Sequence, residues 1–100
     1  MSVCTAAFLL AETGLLDGLK ATTHHDSYDA FARRFPKVSQ LRGRRFVDNG
    51  KFLTAGGLTS GIDAALHVVE RYRGRAATEQ VAADMEHFST DWKTGTSQAI

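Results

Sequence analysis

The junction at the start of the chain constrains it most. Val3 is β-branched and favours a strand, whereas Ala6 to Thr13 is an alanine- and leucine-rich run of helix formers. Cys4, the sole cysteine, stands between them. A strand that feeds straight into a helix must turn sharply. A reactive side chain at that turn is lifted off the sheet, as in a nucleophile elbow. The helix N-terminus behind it offers free N–H groups and a positive dipole end, and both favour a thiolate. A lone free cysteine is also commonly a small core residue, so the junction gains meaning only from the rest of the chain.

The pattern downstream alternates. Gly14 stops the first helix, and Leu15-Leu16-Asp17-Gly18 reads as a turn. Leu19 to Thr23 reads as a short strand with His24 and His25 at its exit, where open α/β sheets carry their ligands. Asp26 or Ser27 caps a helix from Tyr28 to Arg34, with Tyr28, Phe31, Ala32 and Phe35 as its apolar face and Pro36 beyond it. Val38 to Leu41 is an edge strand. Phe46-Val47 and Lys51 to Ala55 form a hairpin around Asp48-Asn49-Gly50. Gly56-Gly57-Leu58-Thr59-Ser60-Gly61 follows directly, and Ser60 with Asp63 reads as a capping box for a helix from Ile62 to Tyr72. Its stripe is Ile62, Ala65, Leu66 and Val69, and Gly74 closes it. The last helix spans Ala76 to Phe88 and buries Ala77, Val81, Met85 and Phe88. Such alternation predicts an α/β layered fold. The strands amount to only about half of a doubly wound sheet, whose central strands need cover on both faces.

The totals exclude several classes. A hydrophobic fraction of 43% with 23% charged residues is that of a globular domain, not a disordered one. A net charge of +1 gives no electrostatic case for nucleic acid or an anionic membrane. Apolar runs are too short to span a bilayer, and no secretory signal is visible. One cysteine precludes an internal disulfide, which predicts a cytoplasmic setting. Two domain segments are expected: residues 1–90 as the folded part and 91–100 as a flexible tail.

Taken in order, the segments resemble the ThiJ/PfpI family of class I glutamine-amidotransferase-like proteins. Ser2 to Gly18 resembles the family's nucleophile-elbow segment, and Ala21-Thr22-Thr23-His24 the histidine segment after it. Arg44 to Gly50 and Thr54 to Asp63 are similar to its hairpin and glycine-rich helix entry. The branch most resembled includes isonitrile hydratases. The same segments occur in ligand-binding halves of some transcription regulators, which continue into a helix-turn-helix region; the early end of this chain disfavours that alternative.

The resemblance implies a flavodoxin-like doubly wound parallel sheet, represented by an incomplete C-terminal portion with an added hairpin. It implies Cys4 as nucleophile, Thr5 as oxyanion-hole donor and His24 as a nearby proton carrier. Ala6 departs from the usual glycine and is expected to narrow the pocket or strain the turn. Gly56, Gly57 and Gly61 read as close packing against the elbow rather than a phosphate loop. The acidic partner of the cysteine, and a second oxyanion donor, would lie ahead of Met1. No cofactor is expected, and no metal, because His24 and His25 lack a further ligand at suitable spacing and Asp26 reads as a cap. His67 reads as structural, His87 as solvent-facing, and Arg42, Arg44 and Arg45 as a solvated loop. The expected partners are a small-molecule substrate and a second copy in a homodimer, since an uncovered sheet edge favours self-association. The other function is a truncated, non-catalytic paralogue acting as a thiol/redox-sensitive or partner-binding protein.

Overall fold

The computed structural model describes residues 1–94. Strand β1 (Ser2–Val3) passes through a 3-10 turn (Cys4–Ala6) into helix α1 (Ala7–Glu12). Strand β2 (Lys20–Ala21), helix α2 (Tyr28–Arg34) and strand β3 (Ser39–Gln40) follow. Strands β4 (Phe46–Asp48) and β5 (Leu53–Ala55) form the hairpin, and helices α3 (Leu58–Arg73) and α4 (Arg75–Asp84) complete the order.

The β-strands make two small groups. β1 pairs in parallel with β5, Ser2 opposite Thr54 and Val3 opposite Ala55, and β5 pairs antiparallel with β4. β2 pairs in parallel with β3. Two side chains stitch the groups together. The Thr22 N–H donates to Thr54 Oγ1 at 2.9 Å, and Asn49 Nδ2 donates to the Lys20 carbonyl at 2.8 Å. Short parallel strands alternating with helices give the expected α/β layering, with the hairpin as an addition at one edge.

Three apolar clusters hold these elements. Ala7, Ala11, Leu16, Ala21, Phe31 and Val38 form the first, with Phe8 and Phe35 against it. Its rings meet edge-on, Phe8 to Phe31 at 5.2 Å and Phe8 to Phe35 at 5.9 Å, which adds a specific geometric term to area burial. Phe46, Leu53, Ala55 and Ala64 form the second, and Leu66, Ala82 and Trp92 the third.

Several expectations need correction. α3 begins at Leu58 with Gly57 as its N-cap, so Ser60 lies within the first turn and makes no capping box. Asp63 instead faces inward and is fully buried, because Arg45 meets it there. On α4 the buried residues are Thr78 and Ala82, one position out of phase with the expected face. Val81, Met85 and Phe88 are exposed. The buried positions are small residues, and Ala82 packs with Leu66 of α3 and Trp92. Part of the expected tail is structured. Asp91–Thr94 is a 3-10 turn whose Trp92 is 2% exposed, while 95–100 lie outside the described residues. Gly14 and Gly74, at φ +80° and +86°, end α1 and α3 as the sequence predicts, in a conformation that a Cβ disfavours.

Candidate functional site

Cys4 leaves β1 at φ +60°, and its neighbours Val3 and Ala6 have negative φ. A left-handed conformation at a non-glycine residue costs about 1–2 kcal/mol, so the surroundings must hold it. Two hydrogen bonds do. The Cys4 N–H donates to the Gly56 carbonyl at 2.7 Å, extending the β1–β5 pairing by one residue. Thr23 Oγ1 donates to the Cys4 carbonyl at 3.0 Å. Strain foreseen at Ala6 is thus located at Cys4, since Ala6 has ordinary helical angles.

The third support is α3. A Cβ on Gly61 would lie 2.9 Å from Val3 Cγ1 and 3.1 Å from Cγ2. Val3 is stiff at χ1 and immediately precedes the turn, so only glycine permits this approach. Gly56 and Gly57 are less constrained. Their Cβ positions would meet neighbours at 3.6 Å, an ordinary contact.

His24 follows the buried pair Thr22 and Thr23 at the exit of β2. Its ring packs on Gly57, where an added Cβ would lie 3.6 Å from Cδ2. Its Nδ1 accepts the Asp26 N–H at 3.2 Å, so Nδ1 carries the lone pair and Nε2 the proton. Cys4, Gly56 and His24 therefore stand at the carboxyl ends of β1, β5 and β2, and Thr23 and Gly57 link them. Thr5 and Ala6 are exposed beside the turn. Thr5 opens the first helical turn, so its N–H has no acceptor within the helix. Among the described residues no side chain hydrogen-bonds the Cys4 thiol.

Two polar clusters were not foreseen as such. Asp63, 0% exposed, accepts from Arg45 Nε at 2.7 Å, Ser89 Oγ at 3.1 Å and His87 Nε2 at 2.9 Å. Arg45 also reaches Asp91 at 3.2 Å. His87 is therefore not solvent-facing, and Arg45 is a half-buried ion-pair partner rather than part of a solvated loop. Arg42 bonds Asp29 and Gln40 and stacks on Tyr28 rather than lying loose. In the second cluster Asp48 pairs with His67 at 2.7 Å and with Arg71 at 2.9 Å. Burial pushes the Asp48 carboxyl up, but hydrogen bonds from His67 and the Gly50 N–H, with the Arg71 charge, outweigh it and hold it below its ordinary value. His67 is structural, as expected. The signal available in the sequence was a polar residue on the inner stripe of an otherwise apolar helix, at Asp63 and at His67.

A strained cysteine at a strand-to-helix turn, with a histidine at a neighbouring strand end, is the arrangement that the family resemblance implies. No protein-family model matches the chain. Isonitrile hydratase of Pseudomonas putida is 34% identical over 87 residues, 86% of this chain and 36% of the hydratase. The HTH-type transcriptional regulator GbdR of Pseudomonas aeruginosa is 32% identical over 81 residues, 81% of this chain and 22% of the regulator. The crystal structure of Drosophila melanogaster DJ-1beta superposes with a TM-score of 0.72 at 21% identity, covering 85% of this chain and 45% of that one. The chain thus spans about a fifth to a third of these curated relatives. The likenesses agree with the resemblance to ThiJ/PfpI proteins, and the fold is a partial flavodoxin-like domain. Both an enzyme and a regulator are among the relatives, so the early end of the chain does not separate the two. Among the described residues no helix is long and apolar enough to cross a membrane.

Proposed function

We propose that Cys4 is the nucleophile of a small-molecule site, with hydration of a carbon–nitrogen multiple bond as its chemistry. The observation that supports this most is φ +60° at Cys4, held by Gly56, Thr23 and the close approach of Gly61. Strain maintained at one side chain by three independent contacts is characteristic of functional positions. The likeness to isonitrile hydratase suggests the substrate class, an organic isonitrile.

The step balances with water alone. The thiolate sulfur bonds the terminal isonitrile carbon, which takes a proton and gives a thioimidate, R–N=CH–S–Cys4. Water adds to the same carbon, the C–S bond breaks, and R–NH–CHO leaves while the thiolate is regenerated. His24 is the group nearest in kind to carry the protons. The Thr5 N–H supports charge that develops beside the reacting carbon. Turnover of an alkyl isonitrile to its formamide, followed by infrared loss of the isonitrile stretch, tests the reading. Wild-type chain is expected to turn over and Cys4→Ser to fall to the uncatalysed rate; full turnover by the serine variant would refute it.

A second reading draws on the regulator relatives and on the thiol, which no side chain among the described residues hydrogen-bonds. In it the same turn senses a ligand or oxidant and passes the state to a partner, a second copy included. Nucleic-acid contact would then belong to another region, given the net charge of +1 on this one. Isonitrile binding that protects Cys4 from alkylation without turnover would favour it.

A further inference from the structure

The turn that presents His24 brings together more than a proton carrier. The backbone folds into a 3-10 turn over His25–Ser27, which swings Asp26 back beneath both imidazoles. His25 Nε2 lies 3.0 Å from Asp26 Oδ1, and His24 Nδ1 lies 3.9 Å from Asp26 Oδ2. The two rings stack at 4.4 Å with planes 31° apart. One ligand atom from each of the three residues falls within 4.8 Å of the others. A cation with bonds of about 2.1 Å holds tetrahedral ligands about 3.4 Å apart. The two nitrogen-to-oxygen separations bracket that value, and His25 and Asp26, which must close on the ion, are 71% and 78% exposed.

Chemistry narrows the ion. Two imidazoles and a carboxylate suit a borderline divalent transition ion such as Zn²⁺, Ni²⁺ or Cu²⁺ more than Mg²⁺ or Ca²⁺, which take oxygen ligands. The His24 lone pair is on Nδ1 and points into the turn toward the Asp26 N–H. A cation that takes this lone pair replaces the Asp26 N–H as its partner, and no proton is lost from the ring. Asp26 reads as a cap in sequence, yet its side chain makes no capping bond here: it is His24 that accepts from the backbone. The Asp26 carboxylate is thereby left facing the rings. Cys4 is not part of the group.

We propose that His24, His25 and Asp26 form a binding site for a borderline divalent transition-metal ion, with three protein ligands and the remaining positions open to water or a small anion. The site stands whether or not Cys4 is a nucleophile. It shares His24 with that reading, so the bound ion withdraws the Nδ1 lone pair and fixes the ring.

Isothermal titration of the full chain with ZnSO₄ tests it. One ion per chain is expected, with a Kd below about 100 μM. His25→Ala and Asp26→Asn, both at exposed positions, are each expected to weaken binding at least tenfold, and Cys4→Ser to leave it unchanged. Circular dichroism of each variant checks that the fold persists. Failure to bind Zn²⁺, binding indifferent to both His25→Ala and Asp26→Asn, or binding lost in Cys4→Ser would overturn the proposal. Since Cys4→Ser is expected to abolish isonitrile turnover while keeping Zn²⁺, the two proposals fail separately.

Discussion

Helix α3 serves two regions that contrast in every physical respect. At Gly61 it presses against Val3 and the Cys4 turn, where the supports are one backbone hydrogen bond, the Thr23 hydroxyl and a missing side chain. Two residues later, at Asp63, it meets a closed set of charges in which Arg45, His87 and Ser89 satisfy one fully buried carboxylate. The first region is strained, and among the described residues no side chain hydrogen-bonds its thiol. In the second the buried carboxylate is matched by three side chains. A chain of 100 residues has little stability to spare. The contrast is a division in which the charged cluster ties α3 to Arg45 and to His87 and Ser89, while the turn at Cys4 is held under strain.

Substitutions can break that division or sharpen it. The largest effect is expected at His24. His24→Asn should lower isonitrile turnover by about 10²–10⁴-fold, the usual share of a positioned acid or base, with urea midpoint nearly unchanged. A large shift in midpoint would show that the two regions are not separable. Asp63→Ala should do the reverse. It takes the buried acceptor from His87 and Ser89 and leaves Arg45 its contact with Asp91, a loss of about 3–5 kcal/mol in urea unfolding. Alkylation of Cys4 in the remaining folded fraction should proceed at the wild-type rate. Gly61→Ala tests the boundary between them, because overpacking against Val3 should cost about 1–3 kcal/mol and also slow turnover. An alanine variant as stable and active as wild type would mean the close approach is unimportant.

The smallest effect concerns pH. The folded-state pKa of Asp48 is lowered, so its contribution to stability is present above the ordinary unfolded carboxylate value of about 3.9 and is lost as pH falls through the folded value. Asp48→Asn should therefore flatten the acid side of the stability curve, at a cost of about 1–2 kcal/mol near neutral pH from weakened bonds to His67 and Arg71. Urea midpoints between pH 3 and 7 would show it. An unchanged slope would remove Asp48 from the account.

The elements were legible where local chemistry decides them. Tyr28 to Arg34 is bounded by a polar turn and Pro36, and the structure keeps the expected helix. The Asn-Gly hairpin appears in register, and Asn49 additionally caps its own turn by accepting from the Lys51 and Phe52 N–H groups. The order of segments was enough to recognise the family. Side-chain partnerships over long separations were not legible. Asp63 finds Arg45 18 positions earlier and Ser89 26 later, and nothing in its immediate neighbours signals either. Apolar periodicity likewise misled on α4, where the small residues Thr78 and Ala82 are the buried ones. At the site, residue types were legible but not the backbone strain. A cysteine at φ +60° looks, in one dimension, like any other cysteine.

That backbone angle has a consequence for anyone improving this protein. Position 4 is one where glycine would be more comfortable than the native residue. Cys4→Gly should relieve about 1 kcal/mol of torsional strain and raise the melting temperature. A selection for heat resistance, or a consensus design that rewards relaxed geometry, would thus drift toward removing the thiol. The variant that performs best in such a screen would lack the thiol on which the proposed chemistry rests, and only an assay of reactivity run alongside would reveal the loss.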